Sequence, residues 1–100
     1  MIYIAYFFSA FFLVNGIPHF VQGVCGHPFQ SPFATPPGVG ESSPLVNVLW
    51  GAFNFVVGYS LLAYAGLFEI GLNSATFAWF AGFMTTAVVL AVYFGKIRKA

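Results

Sequence analysis

Apolar positions run through this chain in three long blocks separated by two polar breaks. No charge interrupts Met1 to Gly40, Ser42 to Phe68 or Ile70 to Gly95. A helix needs about 20 mainly apolar residues to cross the hydrocarbon of a bilayer, so the blocks predict three spans, at about residues 2–25, 44–68 and 72–94. One long connection, 26–43, and one tight turn join them. The predicted fold class is all-α: an integral membrane protein with three transmembrane helices and one Pro-rich connecting loop, in which a short re-entrant fourth segment has room. The whole of 1–100 reads as a single membrane domain.

The breaks carry recognisable punctuation. Glu41-Ser42-Ser43-Pro44 offers a serine N-cap, a proline at the first helical position and an acid near the positive helix end. Glu69-Ile70-Gly71-Leu72-Asn73-Ser74 supplies a glycine stop and an Asn-Ser helix start. Because that turn is short, the second and third helices are expected to be antiparallel neighbours. The N-terminal block lacks the basic start and small-residue cleavage site of a secretory signal, so it is expected to be mature structure.

Composition turns this pattern into a statement about solvent. At 60% hydrophobic residues and a mean hydropathy of +0.90, a soluble domain would lack the polar surface to cover its core, whereas lipid makes no such demand. Lys96, Arg98 and Lys99 are the only cations and follow the last span directly, which predicts a cytoplasmic C-terminus and an N-terminus on the opposite side. A net charge of +1 gives no footing for nucleic-acid binding. The lone Cys25 excludes an internal disulfide, and Cys25-Gly26-His27 lacks the second cysteine of a covalent haem or zinc motif.

Polar residues enter the spans on particular faces. At 100° per residue Asn15, His19, Gln22 and Gly26 fall on one arc of the first span, and Pro18 withdraws a backbone donor in the same region. The second span carries Asn47, Gly51, Asn54, Gly58 and Ala65 on one stripe with Trp50 at its rim; the third has Ser74, Ala78, Ala81, Thr85 and Val92. Small residues let backbones approach and side-chain amides bond between helices, so these three faces are expected to meet.

The connection contains four of the six prolines, with Pro44 directly after it. It reads as the tetrads His27-Pro28-Phe29-Gln30, Ser31-Pro32-Phe33-Ala34 and Thr35-Pro36-Pro37-Gly38, each with proline second. Proline fixes φ and biases its predecessor toward extended backbone, so a stiff, non-helical chain presenting Phe29 and Phe33 is expected. Two roles fit: a lid folded over the helix ends, or a spacer with two interfacial anchors.

Since the first span descends to this loop and the second rises from it, Asn15, His19 and Gln22 share a leaflet with Asn47 and Asn54. The predicted site is a polar pocket in the cytoplasmic leaflet formed by Asn15, His19, Gln22, Asn47, Trp50 and Asn54 beneath Phe29 and Phe33. Interhelical glue and ligand binding both account for such a cluster. His19 is the one histidine inside a span, and its readings are a hydrogen-bonded imidazole, a proton relay, a haem ligand or a metal ligand with His27. A closed metal site wants three or four ligands, so none is predicted, nor is any cofactor, haem being the alternative. Phosphate loops, paired carboxylates and Ser-His-Asp arrangements are absent from the sequence, so no catalytic residue is assigned.

The series Asn15-Gly16-Ile17-Pro18-His19-Phe20, a proline-rich connection, and Asn47-Val48-Leu49-Trp50-Gly51-Ala52-Phe53-Asn54 leading into a Gly58-containing helix resembles the DoxX-like small membrane proteins. That resemblance implies a small multi-pass protein, typically of four helices, with links in some members to quinone or thiol redox systems. The residues and the resemblance together lead to the expectation of a small, oligomeric multi-pass protein, alone or in a larger membrane complex. Its pocket is expected to bind a lipid, quinone or small ligand, or to pass a small solute. The alternatives are a haem-binding or redox accessory subunit using His19, and a passive assembly subunit.

Overall fold

The computed structural model describes residues 2–98. It contains three helices, α1 (Ile2–Val24), α2 (Pro44–Ala65) and α3 (Ser74–Ile97), and one two-residue antiparallel ladder in which β1 (Phe29–Gln30) pairs with β2 (Glu41–Ser42). Each helix is long and apolar enough to cross a membrane. The 41 Å long axis of the molecule likewise exceeds the ~30 Å of bilayer hydrocarbon. The ladder amends the all-α expectation, and the connection that holds it forms no fourth helix.

The helix ends follow the local chemistry. Ser43 Oγ accepts from the Val46 amide at 3.2 Å with Pro44 beginning α2, and the Asn73 side chain accepts from the Thr76 amide at 2.8 Å to begin α3. α2 stops at Ala65, short of Phe68, because Gly66 turns to φ +96° and its amide closes on Leu62 O at 2.9 Å. α1 continues through Pro18 to Val24.

The packing order corrects the expected pairing of the second and third helices. α1 lies in the middle, packed on both α2 and α3, which hardly touch one another. The reason lies at the far end of the bundle from the loop. There the Tyr6 hydroxyl donates to the carbonyls of Ala65 (3.2 Å) and Gly66, and its ring meets Phe68 edge-on at 5.0 Å. The 66–73 connection is thereby drawn onto α1, and Ala5, Tyr6 and Ala65 form a small core with Leu62, Phe68, Ala75, Ala78 and Trp79. A short connection requires nearness at one end only, and this one is clasped by α1.

Close backbone approach sets both helix contacts. A Cβ on Gly51 would lie 2.8 Å from Phe20 N and 2.9 Å from Gly16 O, so α1 and α2 meet almost backbone to backbone. Two turns on, Ser9 Oγ donates to Gly58 O at 2.8 Å. On α3 a Cβ at Gly82 would collide with Phe7 O. This contact selects the inward face of α3: Gly82 and Thr86 are buried with Ala75 and Ala78 half-buried, whereas Ser74, Ala81, Thr85 and Val92 of the expected face are exposed. The two candidate stripes are a fraction of a turn apart, and the residue without a Cβ decides between them.

Candidate functional site

At the end of the bundle where α1 stops and α2 starts, Asn47 is fully buried and its side chain is committed on every side. Nδ2 lies 3.0 Å from Phe29 O and 3.2 Å from both Ser42 O and Ser43 O. Three carbonyls around one atom identify it as the amide nitrogen, so Oδ1 is the atom that faces His19 Nδ1, at 2.8 Å. His19 Nδ1 therefore carries the hydrogen and donates. In the neutral ring Nε2 is then an acceptor, and it has no hydrogen-bond partner among the described residues. The imidazole is only 3% exposed and is held edge to face by Phe29, Phe94 and Trp50, at ring-centre distances of 5.3, 6.2 and 6.4 Å.

A second amide pair sits deeper. Asn15 Nδ2 donates to Asn54 Oδ1 at 3.0 Å, and Asn54 Nδ2 donates to Trp50 O at 2.8 Å, so Asn54 is fixed to its own helix while it ties α2 to α1. The sequence thus places Asn15, His19, Asn47 and Asn54 on facing helices, and the structure joins them as two separate pairs. Gln22 stands apart: its Oε1 lies 3.1 Å from the exposed His27 Nδ1, at the end of α1. The two histidines therefore have different partners, and no group of three or more His, Cys, Asp or Glu is arranged to hold a metal among the described residues.

The loop folds back over these residues. Its two phenylalanines have opposite fates, because the β1–β2 register, Phe29 opposite Ser42 and Gln30 opposite Glu41, turns Phe29 inward. Phe29 is 4% exposed and packs on Phe94 at 4.7 Å, while Phe33 is 64% exposed and leans edge-on against Trp50 at 5.0 Å. Ser31 organises the turn between the strands. Its hydroxyl is 2.5 Å from Ser42 Oγ and accepts from the Phe33 amide, and its carbonyl accepts from the Gly38 amide at 2.8 Å.

The end of α3 holds the folded loop from the other side. Tyr93 donates its hydroxyl to Gly38 O at 2.8 Å, and Arg98 donates to Gln30 Oε1 at 3.0 Å. The Arg98 guanidinium also lies 4.8 Å over the Phe29 ring and 3.6 Å from Glu41 Oε2. Sequence reasoning assigned none of Gln30, Ser31, Tyr93 and Arg98 to the site. The period-four proline pattern was the one signal that the loop had a defined shape, and nothing in it named α3 as the partner.

Loop, α1, α2 and α3 together line a partly open chamber of about 210 Å³, formed by Asn15, His19, Gln30, Ser31, Pro32, Gly38, Trp50, Leu90, Tyr93 and Phe94. Trp50 Nε1 is buried without an acceptor among the described residues. Buried donors are normally paired, and leaving one unpaired costs about 1–3 kcal/mol. Two more buried polar atoms lack partners, Trp79 Nε1 and Thr86 Oγ1, and neither residue lines this chamber. Among the described residues no charged side chain lines it either. Set against protein-family models, curated proteins and solved structures, the chain matches none of them.

Proposed function

We propose that this chain is a small multi-pass membrane protein that binds a small, uncharged molecule in the chamber beside His19, beneath the proline-rich loop. One observation carries the reading. Of the residues that line the chamber, Trp50 has a buried indole N–H with no acceptor among the described residues, and His19, its Nδ1 spent on Asn47, keeps Nε2 as its remaining acceptor. The other orphaned atoms, Trp79 Nε1 and Thr86 Oγ1, belong to residues outside this cavity, so what marks the site is a spare donor and a spare acceptor on residues that line the same cavity. The volume of about 210 Å³ lies below the 300–1,000 Å³ of drug-sized sites, which suits a single ring or a similarly small head group and disfavours haem.

The cationic C-terminal end of α3 supports placing the loop end of the bundle, and with it the chamber, on the cytoplasmic side of the membrane. Large apolar side chains on the outer faces of α2 and α3, such as Leu49, Phe53, Phe77 and Phe80, suit a lipid bilayer, a second copy of the chain or a larger membrane complex. The layout shared with DoxX-like proteins is consistent with this reading and assigns no residue a role.

Retained ligand tests the proposal. Protein purified in mild detergent and released in native mass spectrometry is expected to carry one small molecule per chain, lost in Trp50→Phe while folding is unchanged. A wild-type chain that emerges bare, and whose Trp50 indole resonance responds to no small aromatic or alcohol, overturns it.

A further inference from the structure

Resting on the reading of the chamber as a ligand site, we propose that its ligand is recognised through a hydroxyl group on an uncharged apolar body, with His19 Nε2 accepting the hydroxyl hydrogen and Trp50 Nε1 donating to the oxygen. Asn47 does not line the chamber itself and acts on it through His19. Its Nδ2 is held by the carbonyls of Phe29, Ser42 and Ser43, which fixes Oδ1 toward His19 Nδ1 and makes that nitrogen the donor. Asn47 is thus a positioning residue: by holding the tautomer, it decides that the nitrogen left over on His19 accepts. A ligand that offers only acceptors, such as an ether or an ester, meets a lone pair there and is disfavoured.

Trp50 makes the opposite demand. Its N–H is a donor with no acceptor, so a ligand that offers only donors leaves it orphaned. A hydroxyl satisfies both, donating once and accepting at the same oxygen, and the two rings lie 6.4 Å apart between centres. Charge is selected against, because no ionic side chain among the described residues lines the chamber and Arg98 is already engaged by Gln30 and Glu41. Leu90 and Phe94 supply apolar wall for the remainder of the molecule.

The test reads the Trp50 indole N–H resonance in lipid nanodiscs, in a Trp79→Phe background that leaves one indole. Phenol is compared with anisole, cyclohexanol with methoxycyclohexane, and benzoate serves as the charged probe. The hydroxyl member of at least one pair is expected to bind about tenfold more tightly than its ether, the worth of one hydrogen bond, with benzoate silent. Ethers that bind as well as their alcohols, or benzoate binding best, overturn this proposal while leaving the chamber a ligand site. Silence from every probe, together with a bare chain in mass spectrometry, removes both. A second measurement is independent of any ligand: in His27→Asn, which leaves one histidine, imidazole nitrogen NMR is expected to show Nδ1 protonated and Nε2 bare. A protonated Nε2 with a bare Nδ1 overturns the assignment directly.

Discussion

Asn47 and His19 are joined at 2.8 Å across the contact of α1 with α2, and the same amide that holds the imidazole also holds the loop through the carbonyls of Phe29, Ser42 and Ser43. Site and lid therefore share one buried residue. Asn47→Ala is expected to cost on the order of 3 kcal/mol, since it orphans loop carbonyls and the His19 N–H together. Asn47→Asp is expected to be at least as damaging despite its equal size, because it turns a carboxylate oxygen on three carbonyl oxygens. Unfolding by denaturant in mixed micelles checks both; an aspartate variant as stable as wild type would show that the amide nitrogen is not held by those carbonyls.

Trp50→Phe separates stability from binding. Phenylalanine keeps a ring against Phe33 and Phe53, and it removes the indole N–H that has no acceptor. The empty variant is expected to melt within about 1 kcal/mol of wild type, since the lost packing is offset by the deleted orphan donor. Ligand-dependent stabilisation should vanish. Thermal unfolding with and without phenol reads both effects, and a variant that still gains stability from phenol contradicts the role given to the indole.

The extent to which this architecture is legible in the sequence differs from element to element. Uncharged apolar runs locate all three helices, and Ser43-Pro44 and Asn73-Ser74 locate two of their starts, because caps and hydropathy are local. The pairing of polar groups is not local. Asn15, His19 and Gln22 share one arc, yet Gln22 turns to His27 because it lies where α1 ends and the loop chain is within reach. Phe29 and Phe33 occupy equivalent places in their tetrads, and only the β1–β2 register distinguishes the buried one. The central position of α1 rests on the Tyr6 clasp and on Gly82 admitting Phe7 O, neither of which a hydropathy pattern encodes.

Gly82 gives that last point a measurable form. Gly82→Ala places a methyl group where Phe7 O now lies, so α3 must move off α1, at a cost of about 1–3 kcal/mol. Gly95→Ala, in the same helix with nothing near its absent Cβ, is expected to be neutral or to gain up to about 1 kcal/mol from helix propensity. Paired unfolding curves decide the matter. Equal effects at the two sites would mean that α3 does not approach α1 so closely.

Arg98 is expected to govern how often the loop opens. It grips Gln30 at 3.0 Å, Glu41 at 3.6 Å and the Phe29 ring at 4.8 Å, but it is partly exposed, so the ion pair itself is worth about 0–1 kcal/mol and the ring contact about as much. Arg98→Ala should therefore speed amide exchange at residues 29–30 and 41–42 by about tenfold and leave the middle of α1 unchanged. Exchange that stays the same at the ladder would assign the hold on the loop to Tyr93 and Asn47 alone.

The proposed direction of the chain in the membrane can be tested at the end of the bundle that these contacts assemble. α1 ends at the loop, and Arg98 reaches that loop from the end of α3, so Cys25, the loop and the cationic C-terminal end lie together at one end of the bundle. Lys96, Arg98 and Lys99 favour the cytoplasm, which carries Cys25 with them. Cys25 is exposed and is the chain's single thiol, so it reports this end without any engineered residue. A membrane-impermeant maleimide is expected to label it in inverted vesicles and not in intact cells. The reverse pattern would turn the whole bundle over, opening the chamber toward the outside while leaving each contact within the fold unchanged.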